Sequence, residues 1–94
     1  MEVIAILKEV SQPRVLQGNQ GTLTVVDIKV DAGVDEFVMS AFDKMAESFT
    51  SGTIKVNSVI KVRATASVRS KDGKNFQSMR VDACKMLIDT EKVF

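Results

Sequence analysis

Ninety-four residues make one domain spanning 1–94, large enough for a single core and small enough that oligomerisation would help it. Thirteen Lys and Arg stand against twelve Asp and Glu, a net charge of +1 with no His, and the lone Cys84 excludes a disulfide framework and a thiolate zinc cluster. No signal peptide opens the chain and no apolar run nears the roughly 18 residues that span a bilayer, so a soluble, cytoplasmic protein without a membrane partner is expected.

Glu2 to Val10 carries Val3, Ile4, Ala5, Ile6 and Leu7 in succession, which predicts a strand buried on both faces for part of its length. Ser11 to Gly21 holds the only proline, Pro13, and reads as a loop that closes in a tight turn at Gly18-Asn19-Gln20-Gly21. Those four residues also match the clamp of KH domains, but that clamp lies between helices and strands flank it here. Thr22 to Val30 is the second strand. Its apolar parity changes from Leu23 and Val25 to Val26, Ile28 and Val30, which predicts a bulge near Val25 and Val26 that would bend the strand as a small barrel requires.

Asp31, Asp35 and Glu36 surround Ala32-Gly33-Val34. The spacing lacks the calcium-loop pattern with its terminal bidentate Glu, so a solvated acidic turn and no metal are expected. Glu36 to Ala41 reads as a third strand with Phe37, Met39 and Ala41 on one face. Phe42, Met45, Ala46 and Phe49 then fall at i, i+3, i+4 and i+7, the stripe of a short helix that Gly52 would end with positive φ.

Val56 leads into the last two strands. Ile60, Val62, Ala64, Ala66 and Val68 alternate with Lys61, Arg63, Thr65, Ser67 and Arg69, giving one oily and one basic face. Asp72-Gly73 is a strong hairpin signal, because a type I′ turn needs positive φ at both central positions. A two-residue turn there pairs Lys71 with Lys74, Arg69 with Phe76, Thr65 with Arg80, Ala64 with Val81, Val62 with Ala83 and Arg63 with Asp82. Strand parity sets Cys84 on the outer face near Asp82, as a small hydrophobe of a sheet edge or subunit contact.

That register sets Phe76 on the solvent side beside two arginines. Two readings stand: a surface aromatic that packs on a partner chain, or a platform on which bases of a single strand stack, flanked by cations. The charges are divided unevenly. Residues 1–52 hold four cations against eight acids, and residues 53–88 hold eight cations against two acids. Lys61, Arg63, Arg69, Lys71, Lys74 and Arg80 all fall in the second part, either as an ordinary solvated strand face or as a surface suited to a polyanion.

Five strands with one helix between the third and fourth is the order of the OB-fold, an all-β, five-stranded Greek-key barrel with one short helix between strands 3 and 4. More specifically, Ser40-Ala41-Phe42-Asp43-Lys44-Met45-Ala46-Glu47 resembles the aromatic-x-Lys-x-Ala-Glu segment of bacterial and phage single-stranded DNA-binding proteins. Gly52 through Ala66 is similar to the strand that follows there, and Ser70-Lys71-Asp72-Gly73-Lys74 resembles the turn before the last strand. The likeness covers nearly all of residues 2–88 in the same order.

The resemblance implies sequence-independent binding of single-stranded DNA in replication, recombination or repair, by a homo-oligomer, dimer or tetramer, in a bacterial host cell, with replication or recombination proteins as further partners. By position it makes Phe42, Phe76 and Phe37 the aromatics of the site, beside the basic Lys61, Arg63, Arg69, Lys71, Lys74 and Arg80. The glycine-rich spacer of the family is absent, and Asp89-Thr90-Glu91-Lys92-Val93-Phe94 only echoes its acidic tail. The alternative is an OB-fold that joins subunits or another protein of a replication complex without touching DNA.

An enzyme is not expected. The chain has no His, no nucleophile elbow and no phosphate-binding Gly-x-x-x-x-Gly-Lys run, Cys84 lacks an activating partner, and no cofactor or catalytic residue is expected.

Overall fold

A computed structural model describes residues 1–18, 21–71 and 73–88, with side chains except at residues 69–71 and 74–77. The strands are β1 (Glu2–Val10), β2 (Arg14–Gly18), β3 (Gly21–Asp31), β4 (Glu36–Phe42), β5 (Val59–Lys71) and β6 (Lys74–Ile88), with one helix, α1 (Lys44–Thr50). They form one sheet in the order β1-β5-β6-β4-β3-β2, and β1 also pairs with β3. The succession of neighbours β1, β5, β6, β4 and β3 therefore returns to β1. All pairings are antiparallel except the short parallel contact of β4 with β6.

Enclosed by these strands are Leu7, Val26, Ile28, Val30, Met39, Ala41, Ile60 and Val62, each no more than 1 % exposed. At about 25 cal/mol per Å² of apolar surface removed from water, such side chains supply most of the drive to fold. Helix α1 packs on β3, β4 and β6, burying Ala46 and Phe49 in the same cluster with Met45 partly covered. Ser51 closes the helix through its N–H to the Glu47 carbonyl, and Gly52 follows at φ 84°, a conformation that favours residues without a Cβ.

Several expectations change on contact with the structure. The stretch expected as a loop, Ser11 to Gly21, contains β2, which pairs residue by residue with the first half of β3 from Arg14–Val25 to Gly18–Gly21. All of β2 is exposed, which is why its sequence shows no core pattern. β1 is not buried on both faces: Ala5 and Leu7 point inward, whereas Ile4 is 60 % exposed because no second layer covers the outer side. The β3–β4 register runs without interruption from Val25–Phe42 to Asp31–Glu36, so no bulge breaks that ladder at Val25 and Val26. The irregularity lies across the other ladder, in β1 between Leu7 and Glu9.

The hairpin follows the expected register from Lys71–Lys74 through Ala64–Val81, with Gly73 at φ 76°. Beyond that point it does not. Arg63 pairs with Ala83 and Val62 with Cys84, so Asp82 is an extra residue that interrupts the ladder. The extra residue reverses parity from Ala83 to Met86, where a second extra residue, Leu87, interrupts the ladder again between Ile60–Met86 and Val59–Ile88. Cys84, expected outside, is half-buried against the core, where loss of hydration pushes its thiol up to about 11.

Candidate nucleic-acid interface

On β4, Met39 and Ala41 are buried, so Ser40 and Phe42 take the outward parity. Phe42 is the last residue of β4 rather than part of the helical stripe, because Asp43, at φ 49°, turns the chain before α1 begins. Two bonds hold that turn: the Asp43 N–H donates to the Thr24 carbonyl at 2.9 Å, and the Thr24 N–H donates to Asp43 Oδ1 at 3.3 Å. Phe42 is thereby set beside Val25 on the outer side of β3.

Opposite Phe42 runs the β5–β6 hairpin, brought near by the parallel Ser40–Arg80 pairing. Between them lies an open groove of about 410 Å³. Leu23, Phe42 and Met79 supply its apolar walls, Ser40, Ser67 and Ser78 its hydroxyls, and Arg80 its cation. Ser67 and Ser78 share a hydrogen bond of 3.0 Å across the strands. Ser40 gives its hydroxyl hydrogen to Asp27 and so can accept, while the Ser67–Ser78 pair keeps one hydrogen to donate, so this polar rim offers both an acceptor and a donor.

Arg80 is steered by the extra residue. Its Nε donates to Asp82 Oδ1 at 3.2 Å, while the Thr65 hydroxyl donates to Asp82 Oδ2. The Thr65 bond holds the Asp82 carboxyl below its ordinary value, partly opposed by desolvation and reinforced by the hydrogen bond and charge of Arg80. A guanidinium carries five N–H donors, so one bond to Asp82 leaves capacity to meet a phosphate. Across the groove, Asp27 is occupied by Arg14 at 3.0 Å and by the Ser40 hydroxyl at 2.9 Å, which offsets its charge beside the site.

Two of the expected residues, Phe42 and Arg80, meet in this groove. Lys61 and Arg63 lie elsewhere on the outer face, in a smaller recess with Glu2, Ala83, Cys84 and Lys85. Phe37 shares the inward parity of Met39 and packs against the core cluster, away from both. Arg69, Lys71, Lys74 and Phe76 belong to the far end of the hairpin, where Arg69 pairs with Phe76 and Lys71 with Lys74; their side chains lie outside the described residues. Leu23 and Met79 were not legible as site residues, since each reads as an ordinary core position in its strand. Among the described residues no group of His, Cys, Asp and Glu is arranged to hold a metal, and no helix is long and apolar enough to cross a membrane.

No protein-family model matches the sequence, and no curated protein does. The structure, however, is similar to that of a mitochondrial single-stranded DNA-binding protein from S. cerevisiae, Rim1, with a TM-score of 0.65 over 93 % of this chain and 92 % of the other. The two share a fold. Their sequences are 11 % identical, so the likeness speaks to architecture and not to individual side chains.

Proposed function

We propose that the chain is an OB-type Greek-key barrel that binds single-stranded DNA without sequence preference, in replication, recombination or repair. In this reading β2 is an outward continuation of the first barrel strand, and α1 closes one end of the barrel between its third and fourth strands. The observation that carries the reading is the groove in which the Phe42 ring, apolar Leu23 and Met79, and the Arg80 guanidinium converge. A base stacks on an aromatic face while a neighbouring cation takes the phosphate, the economy of sequence-tolerant single-strand binding. Lys61, Arg63, Arg69, Lys71, Lys74 and Phe76 extend the proposed interface as further cationic and aromatic contacts, whereas Phe37, packed against the core, supports it only from within.

A homo-oligomer is part of the proposal. Among the described residues β2 pairs only with β3, and its Val15 and Leu16 are 66 % and 45 % exposed. An open edge with apolar side chains is a template for another strand. The same edge favours the second reading, a module that joins protein partners and leaves DNA alone.

Titration of labelled oligo-dT of several lengths at two salt concentrations separates the two. DNA binding predicts affinity that falls with salt at a slope near −0.7 per phosphate contact. An oligomer of unchanged size that ignores every oligonucleotide at low salt would leave only the protein-joining reading.

A further inference from the structure

The recess on the outer face of β1, β5 and β6 concentrates charge in a way the groove does not. Lys61 and Lys85 are direct partners on the β5–β6 ladder, and Arg63 follows two residues along β5. Like charges opposed on one face of a sheet repel. Glu2 is the one acid lining the recess, and it is already ion-paired to Lys61 at 3.2 Å. Among the described residues, Arg63 and Lys85 have no acidic partner. Three cations against one acid thus surround a concavity of about 260 Å³ whose remaining wall is Ala83 and Cys84.

Lys85 owes its position to the extra residue at Asp82. In an uninterrupted ladder it would share the inward parity of Val81; with the interruption it stands outside, opposite Lys61. A second copy of the chain is a poor occupant, because a two-fold contact across this patch would bring its cations toward their own duplicates. An anion relieves the repulsion directly. The recess also continues from the groove: Thr65 pairs with Arg80, and Arg63 lies two residues further along the same side, roughly 7 Å away.

We infer that Lys61, Arg63 and Lys85 form a phosphate-binding subsite, and, resting on the function proposed above, that it takes the backbone of the DNA strand beyond the groove. Two titrations test it, followed by backbone amide NMR shifts and by oligonucleotide affinity. Inorganic tripolyphosphate at low salt should shift the amides of Lys61, Arg63, Ala83 and Lys85. Lys85→Gln should weaken that binding several-fold, whereas Glu2→Gln, which removes the competing acid, should tighten it. Both side chains are exposed, and an unchanged melting curve checks that each variant is folded. Shifts spread evenly over Lys8, Lys29 and Lys44 as well, or unaltered by Lys85→Gln, overturn the subsite.

The oligonucleotide arm decides the source of the phosphate. For dT of about 30 nucleotides, Lys85→Gln should reduce the salt slope by about 0.7, and for the dT dinucleotide, whose single phosphate is taken up at Arg80 and does not reach the recess as well, the slope should stay as in the parent. Tripolyphosphate binding with an unchanged slope on the long strand assigns the subsite to free phosphate and refutes its place on the DNA path. A parent protein that binds neither oligomer removes the nucleic-acid reading, and the tripolyphosphate shifts then decide the subsite alone.

Discussion

The groove at Phe42 and the recess at Lys61 lie on the same β5–β6 ladder yet are built from opposite materials. The groove has an aromatic ring, two further apolar side chains, three hydroxyls and one cation. The recess has three cations and one acid around small side chains. The first offers dispersion and stacking, which salt leaves largely intact; the second offers Coulomb attraction, which screening weakens. In the proposed function, one small surface would therefore separate the recognition of a base from the recognition of its phosphate.

The largest expected effect removes the support common to both. Ile60 is fully buried between β1 and β6, and Ile60→Ala should cost about 2–5 kcal/mol of stability in urea unfolding, degrading both sites together. Phe42→Ala should sharpen the contrast by costing about 1–3 kcal/mol of oligo-dT affinity while leaving the salt slope near that of the parent. If the affinity loss disappears at high salt, Phe42 is not a stacking surface. Arg80→Ala should do the reverse, with a modest affinity loss and a salt slope lower by about 0.7; equal slopes would place Arg80 outside the phosphate path.

The smallest effect concerns acid. The folded-state carboxyl of Asp82 ionises below its ordinary value, so its stabilising contribution is complete above the unfolded-state value and is lost as pH falls through the folded one. The melting temperature of the parent should therefore exceed that of Asp82→Asn near neutrality, and the gap should close on acidification. A gap independent of pH would mean that the Thr65 and Arg80 bonds do not depend on the carboxylate.

What could be read before the coordinates followed from strong local signals. The Asp72-Gly73 turn with its flanking alternation yields the correct pairing down to Ala64–Val81, and Gly52 marks the end of α1. The interruption at Asp82 was hidden because Ala83 and Cys84 are small enough to face either way, so neither parity is penalised in the sequence. Phe42 misled for a different reason: its spacing to Met45, Ala46 and Phe49 fits a helix, and only the turned backbone at Asp43 removes it. β2 carries adjacent Val15 and Leu16 in a polar, proline-led stretch, which signals a loop unless the pairing with β3 is known. The recess at Lys61 was half legible, since Lys61 and Arg63 alternate plainly while Lys85 depends on the hidden interruption.

Length along the last strand is thus as consequential as composition. Excising Asp82 would leave every other side chain chemically unchanged, yet would turn Ala83 to Met86 inside out: Lys85 would be driven toward the hydrocarbon interior and Cys84 brought to water. Single-residue deletions should accordingly be tolerated far worse between 82 and 86 than at the Ala32-Gly33-Val34 corner, where Val34 is 98 % exposed.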